Sequence, residues 1–363
     1  MHDRPAKIQR LSIEPGRRIL AVSDAHANIP YLTGVLKEAG FCKKDVLILC
    51  GDFLEKGAES LKMLRLVMKL TECGNTYPLI GNCDFWHVIF EMDQEAEEYT
   101  LNYVLSKKRG LLWDMMNEAK IDPFQLESFD ECKDTLYRKF QNEWKFLESL
   151  PHAIETQNFI FAHAAVYPKP LEEHTFWELI HCDAFFKLDY RYDKWVVVGH
   201  WPVVLYGDKI VSANPIIDRR RKVISIDGGC VLKDDGQLNA LVIPDINSEN
   251  FSNIAYDPFP EKTVLQDQAE GPDSWYIRWG DSKVKVLERG EEFSHCRHVR
   301  TGYEMDILTK YLFTDHEITE CNDCTDYVLP LKKGDLVRVV EETSRGYFVK
   351  HNGISGWYFG ELR

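Results

Sequence analysis

Continuous apolar runs separated by segments of helical period dominate the first half of the chain. Arg18 to Ser23 and Val46 to Cys50 are unbroken apolar stretches, the pattern of strands covered on both faces. Between them, Tyr31 to Ala39 predicts a helix ended by Gly40. Ala58 to Cys73 predicts a second, with Leu61, Leu64, Val67 and Met68 at helical spacing and Gly74 as its stop. Tyr77 to Ile80 then predicts a third strand. A strand, helix, strand, helix, strand order favours right-handed parallel crossovers, so the polar residues that end these strands gather along one sheet edge.

The character changes from Phe85 to about Leu150, where the chain is charged, rich in Glu, Lys, Trp and Tyr, and free of β-branched runs. This predicts a helical insertion. Strand-like sequence resumes at Asn158 to Ala162, Trp195 to Val198, Lys222 to Ile226 and Ala240 to Ile243. After Pro244 the composition turns to Asn, Ser, Asp, Pro and Gln, which reads as a linker over 251–272. From Trp275 onward short apolar runs alternate with turn residues, as expected of a small all-β region over 273–363. The expected organisation is therefore α/β over 1–250, with the insertion at 85–150, then the linker and the β region.

What ends the strands is chemically uniform. Asp24-Ala-His26, Gly51-Asp52, Gly81-Asn82-Cys83-Asp84, His163 and Gly199-His200 follow five successive strand-like runs. An Asp, Asn and His set suits borderline first-row metals such as manganese, iron, zinc or nickel better than calcium or a thiolate-loving ion. Two divalent ions about 3.5–4 Å apart need one shared carboxylate and a few further ligands each. Asp24 and His26, two residues apart at a strand terminus, can converge on one ion, and Asp52 on the neighbouring strand is placed to bridge. Asn82 offers an amide oxygen, and His163 and His200 offer imidazoles to the second ion. The chain has no GxSxG elbow and no GxxxxGK[ST] loop, so neither a serine nucleophile of that type nor ATP-driven chemistry is expected.

Taken in order, these motifs resemble the GDxHG, GDxxDRG, GNHE, HAG and GHT series of calcineurin-like metallophosphoesterases. They appear here as Ser23-Asp24-Ala-His26-Ala27, Gly51-Asp52-Phe-Leu-Glu55-Lys56-Gly57, Gly81-Asn82-Cys83-Asp84, His163-Ala-Ala165 and Gly199-His200-Trp201. Within the superfamily the chain resembles phosphoprotein phosphatases and symmetrical diadenosine tetraphosphatases over Arg18 to Pro244, including Asp227-Gly-Gly229 near the closing strand pair. The resemblance implies a β-sandwich flanked by helices and two divalent ions (Mn2+, Fe2+/Fe3+, Zn2+ or Ni2+). By it, Asp24, His26 and Asp52 hold the first ion, and Asp52, Asn82, His163 and His200 the second. Asp52 would bridge and position the water that attacks phosphorus.

Three departures stand out. Cys83 occupies the place of the family's proton-donating His, Glu55 that of the Asp that orients it, and Lys56 that of a phosphate-clamping Arg. The candidate catalytic positions are thus Asp52, Cys83, Asp84 and Glu55, and the candidate substrate-binding positions Lys56 and Asn82. Asp84 has a second reading as the cap of a helix starting near Phe85, and Cys83 as a small buried hydrophobe. A GNCD variant also occurs in small bacterial phosphodiesterases of the superfamily. At the other end, Leu331 to Leu362 resembles a bacterial SH3-like module through LKKGDLVRVV, GYFVK and GWY, and Trp275 to Leu312 resembles a degenerate second copy, giving two tandem barrels.

Charge and composition narrow the partners. With 58 acidic against 44 basic residues the formal charge is −14, which disfavours general nucleic-acid or anionic-membrane binding. No apolar run approaches the roughly 20 residues of a spanning helix and no signal-peptide core is seen, so a cytoplasmic protein is expected. The ten cysteines then read as reduced thiols, with Cys321-Asn-Asp-Cys324 as a loop between strands. His87, His152, His174 and His181 match no motif and read as surface or structural. Arg219-Arg220-Arg221 reads as a solvated turn, and Trp86, Trp113, Trp144 and Trp177 as insertion core. The expected activity is hydrolysis of a phosphoprotein, nucleotide or phosphodiester. The competing expectation is a non-catalytic binding protein acting through its SH3-like tail on a peptide or protein ligand.

Overall fold

In the first of two compact units, which comprises residues 1–202, 215–232 and 236–257, the apolar runs become the strands of two sheets. The computed structural model describes residues 4–91, 94–315 and 318–363. One sheet has the strand order Ser252–Tyr256, Leu238–Ile243, Ile19–Val22, Val46–Cys50, Thr76–Leu79, in which the last three run parallel. The other runs Ile8–Arg10, Ala153–Glu155, Phe159–Ala162, Trp195–Val198, Val223–Ser225, Ile216–Asp218.

Strand alternation explains why the runs are apolar throughout. Ile19, Ala21, Ile48 and Leu241 pack against Phe159, Phe161, Val197 and Ile224 of the opposite sheet in one buried cluster. Leu20, Val22, Leu47 and Leu49 point the other way, into a cluster shared with the helices. Helix Ile29–Glu38 buries Leu32 and Val35 there, and helix Ser60–Thr71 buries Leu61, Leu64 and Val67. Each such fully buried leucine or valine contributes on the order of 2 kcal/mol. The architecture is the helix-flanked β-sandwich expected from the motifs.

Between Phe85 and Ser149 the chain forms helices, among them Gln94–Lys107, Leu111–Ala119, Asp130–Lys139 and Gln141–Ser149. Leu112, Met116, Leu136, Trp144 and Leu147 join the helix-side cluster. Arg65 ties the insertion to helix Ser60–Thr71 by paired bonds to Glu118 (2.7 and 2.8 Å) and one to Glu143 (2.9 Å). Trp86, Trp113 and Trp177 also pack on this cluster.

The second unit comprises residues 203–214, 233–235 and 258–363. Its five-stranded sheet runs Glu261–Thr263, Leu336–Thr343, Gly346–His351, Ile354–Tyr358, Val211–Ser212, with neighbours antiparallel, around a core that includes Val264, Leu331, Val337, Val349 and Tyr358. A separate three-stranded sheet, Val284–Glu288, Phe293–His298 and Glu304–Leu308, has its own core of Ile277, Val284, Cys296, Met305 and Ile307. The Cys321 and Cys324 thiols lie 3.8 Å apart at the ends of two short strands.

Two features were not legible from periodicity. The stretch read as a linker contains strands Ser252–Tyr256 and Glu261–Thr263, each at the edge of a sheet. Edge strands are held by backbone hydrogen bonds on one side and need no regular apolar face. The second unit also recruits residues 203–214 and 233–235 from far back in the chain. Among the described residues no helix is long and apolar enough to cross a membrane.

Candidate metal centre

The five strand ends meet at one edge of the sandwich. Asp24, Asp52 and Asn82 lie two, two and three residues beyond strands of one sheet, and His163 and His200 one and two residues beyond strands of the other. Backbone bonds hold the ends in register: Asp24 N to Gly51 O (3.1 Å), His26 N to Asp52 O (2.9 Å) and Gly199 N to His163 O (2.8 Å). The His163 Nδ1 bonds Cys50 O (2.9 Å), which ties the two sheets together at the site.

The backbone turns sharply here. Asp24, His26, Asp52 and His200 have φ of 60°, 45°, 51° and 68°, the left-handed region that non-glycine residues seldom occupy. That turn breaks strand alternation and lets side chains two residues apart converge. Glycines leave the room: a Cβ on Gly81 would strike the Asp52 carboxylate, and one on Gly199 would strike Ser23 Oγ and Asp24 Oδ2.

Two sets of potential ligand atoms cluster within 4.8 Å of one another: His26, Asp52 and Cys83, and Asp52, His163 and His200. Asp52 belongs to both. Asn82 Oδ1 faces His163 Nε2 at 2.9 Å, which lies 3.3 Å from Asp52 Oδ1. With Nδ1 tied to the Cys50 carbonyl, the Nε2 edge of the ring is brought together with the Asn82 amide oxygen and the Asp52 carboxylate. Likewise His26 Nδ1 bonds Leu54 O (3.3 Å), leaving Nε2 without a hydrogen-bond partner. Asp24 Oδ1 and His200 Nε2 are also buried and lack a hydrogen-bond partner. A buried polar atom without a partner is costly, and three of them on residues of an Asp/His/Asn set fit divalent cations.

The electrostatics agree. Burial, then the Asp227 and Asp52 carboxylates, push the Asp24 carboxyl well above its ordinary range. Burial also raises Asp52, but the His163 and His26 rings outweigh it and hold Asp52 low. Burial pushes His26 down, and burial with His163 beside it pushes His200 to about 3. Burial therefore disfavours charge on Asp24, His26 and His200, while Asp52 keeps its negative charge at the centre of the cluster.

Asp84 and Glu55 turn elsewhere. The Asp84 carboxylate accepts backbone N–H groups of Asp52 (2.7 Å), Leu54 (2.9 Å) and Gly81 (2.9 Å) and is fully buried. It clamps two strand-end loops together and its side chain does not cap the helix that follows. Glu55 accepts from Leu111 N (2.7 Å) and Tyr103 Oη (3.1 Å), with the Trp86 side chain as a further partner, so it binds the insertion to the loop after Asp52. Cys83 faces the cluster, its N–H donating to Asp52 Oδ1 (2.8 Å) and its Sγ receiving Asn82 Nδ2 (3.6 Å). Lys56 lies near enough to depress His26. The Arg219–Arg221 turn is committed elsewhere, to Glu249 O, Asp189 and Asp218.

Glu55 carries a pH dependence. Burial pushes its carboxyl up to about 7 from 4.5, so the fold favours the protonated form. The stability this group contributes is full below pH 4.5 and lost as pH rises through about 7. In wild-type protein, Glu55 should make unfolding free energy fall by about 2–3 kcal/mol between pH 5 and pH 8, and Glu55→Gln should remove that part of the slope. Chemical unfolding of both proteins at the two pH values measures it, and identical slopes would refute the assignment.

Sequence reading missed three contributors. Ser23 Oγ bonds Asp24 Oδ2 and Cys50 O (3.0 Å), Asp227 sits close to Asp24, and His181 lies 5.5 Å from the His200 ring. Ser23 and Asp227 carried a signal, their places in the first and the Asp-Gly-Gly motifs, and His181 carried none.

The family model for calcineurin-like phosphoesterases matches residues 17–212. A bis(5'-nucleosyl)-tetraphosphatase PrpE [asymmetrical] of Oceanobacillus iheyensis is 23% identical over 241 residues, 59% of this chain and 84% of that protein. Among solved structures, a protein serine/threonine phosphatase from Saccharomyces cerevisiae with similarity to human phosphatase PP5 aligns at 12% identity and TM-score 0.44, covering 70% of this chain and 85% of that one. A metallophosphoesterase from Sphaerobacter thermophilus aligns at 19% and 0.39, covering 67% and 89%. With the family match spanning all five strand ends, the chain belongs to the calcineurin-like phosphoesterases and is a phosphoester hydrolase.

Proposed function

We propose that this chain hydrolyses phosphate monoesters or nucleotide polyphosphates with two divalent cations, held by Asp24, His26 and Asp52 on one side and by Asp52, Asn82, His163 and His200 on the other. The observation that carries this reading is the convergence of unpartnered, buried ligand atoms around a carboxylate common to both clusters. The cations would polarise phosphoryl oxygens and lower the pKa of the attacking water. The chain's own part is positional. Asp52 is pinned by Cys83 N–H at the centre, His163 and His26 are held in one tautomer by backbone carbonyls, and Lys56 adds a positive charge beside the cluster. Purified protein supplied with manganese should hydrolyse p-nitrophenyl phosphate and a dinucleoside tetraphosphate. No metal-dependent turnover of either would sink the reading.

Cys83 favours a second reading, in which diesters are substrates, because a thiol replaces the imidazole that the resemblance assigns to leaving-group protonation. Cys83→His should raise the ratio of p-nitrophenyl phosphate to bis-p-nitrophenyl phosphate turnover by about tenfold or more. An unchanged ratio would show that Cys83 only fills space. The β unit that includes 258–363 is proposed as a recognition module, with Leu331 to Leu362 SH3-like. Its support is an aromatic surface on which Trp357 stacks with the half-exposed Phe359.

A further inference from the structure

Helix Phe176–Ile180 delivers an imidazole to the rim of the metal centre. Its start is fixed by a capping box, in which Thr175 Oγ1 accepts Glu178 N (3.3 Å) and the Glu178 carboxylate accepts Thr175 N (2.9 Å). Its end is fixed to the site itself: Ala164 N, the residue after His163, donates to Leu179 O (2.8 Å). Phe176 stacks on Phe85 at 4.5 Å, anchoring the helix from below. The next residue but one after Leu179 is His181, whose N–H closes the helix on Trp177 O (3.0 Å).

The His181 ring lies flat on the Trp177 indole, with centroids 4.8 Å apart and planes 10° from parallel. The ring also lies 5.5 Å from that of His200, tilted by 53°. Among the described residues neither ring nitrogen has a hydrogen-bond partner, and the side chain is exposed. A histidine shelved on an indole, held by backbone bonds to the residue after one candidate ligand and set beside another, is preorganised with its donor unspent. On the same side the exposed Asp183 has its carboxylate 4.0 Å from His200 Nε2 and would repel an anion. A donor on this side offsets that repulsion for a bound phosphate, and an imidazole has an N–H to give.

We propose that His181 is a substrate-contacting residue, donating a hydrogen bond to a phosphoryl oxygen of the bound ester and of the product phosphate. This rests on the hydrolase reading above. A hydrogen bond to a charged oxygen contributes about 1.5–3 kcal/mol, which corresponds to roughly tenfold or more in affinity.

The test is calorimetric titration of inorganic phosphate into the manganese-loaded protein, a readout independent of turnover, alongside KM for p-nitrophenyl phosphate and metal content by elemental analysis. His181→Ala should weaken phosphate binding and raise KM about tenfold with metal content unchanged, and His181→Gln, which keeps an N–H donor, should recover at least part of the loss. Unchanged phosphate affinity in His181→Ala overturns the assignment while leaving the hydrolase reading intact, provided wild-type turnover is lost in Asp52→Asn. Loss of bound manganese in His181→Ala also overturns it, because the residue would then act through the metal ligands. If the wild-type protein neither binds phosphate nor turns over, the hydrolase reading fails and takes the assignment with it.

Discussion

Asp52→Asn should abolish metal-dependent turnover, by at least about a thousandfold, while the metal-free fold survives. Asp52 is the one residue common to both ligand clusters, and a shared carboxylate is what a two-cation site requires. Its Oδ1 accepts Cys83 N–H (2.8 Å) and stands 3.3 Å from His163 Nε2. Asn keeps the size but halves the oxygen donors and removes the charge that would offset two cations. Without metal, removing that charge relieves the crowding of Asp24 but forfeits the attraction to the His163 and His26 rings, so the two effects oppose each other. Unfolding free energy of the metal-free variant should therefore stay within about 1 kcal/mol of wild type. Initial rates at saturating manganese, elemental analysis and chemical unfolding check the three parts. Turnover within tenfold of wild type would refute a central role for Asp52.

The largest stability loss is expected at Asp84. Three backbone N–H groups from two loops end on its two oxygens: Oδ2 takes those of Asp52 and Gly81, and Oδ1 that of Leu54. Asp84→Ala leaves all three buried without an acceptor, at about 1–3 kcal/mol each. Asp84→Asn is little better, because either amide orientation points an –NH2 at a backbone N–H. We expect a loss of about 3 kcal/mol or more for the alanine variant by urea unfolding, with a fall in metal affinity as the Asp52 and Gly81–Asn82 loops drift apart. A loss below about 1 kcal/mol would mean that water or a relaxed loop replaces the clamp.

The contrast between Asp84 and Glu55 marks how far the candidate site could be read in advance. Both are acidic residues inside phosphoesterase-like motifs, and both invite a catalytic role on paper. Their side chains turn away from the cluster, one to backbone amides and the other to Tyr103 and Leu111 of the insertion. The motif records that a carboxylate is needed, but not what it accepts from. His181 is the reverse case. It matches no motif, and only the stack on Trp177 and the bond from Ala164 to Leu179 bring it to the rim.

The chain's sequence by itself determined the apolar central strands of the sandwich and the order of the strand-end residues. A strand buried on both faces must be apolar throughout, and a polar residue is tolerated only where the strand stops. Those constraints act within a few residues and are written locally. Tertiary structure alone decided the left-handed turns at Asp24, His26, Asp52 and His200, the place of His181 beside His200, and the recruitment of residues 203–214 and 233–235 into the second unit. These depend on pairings across long stretches of chain, where backbone hydrogen bonds at sheet edges and close approaches at Gly81 and Gly199 do the selecting, and such contacts leave no periodic trace in the order of residues.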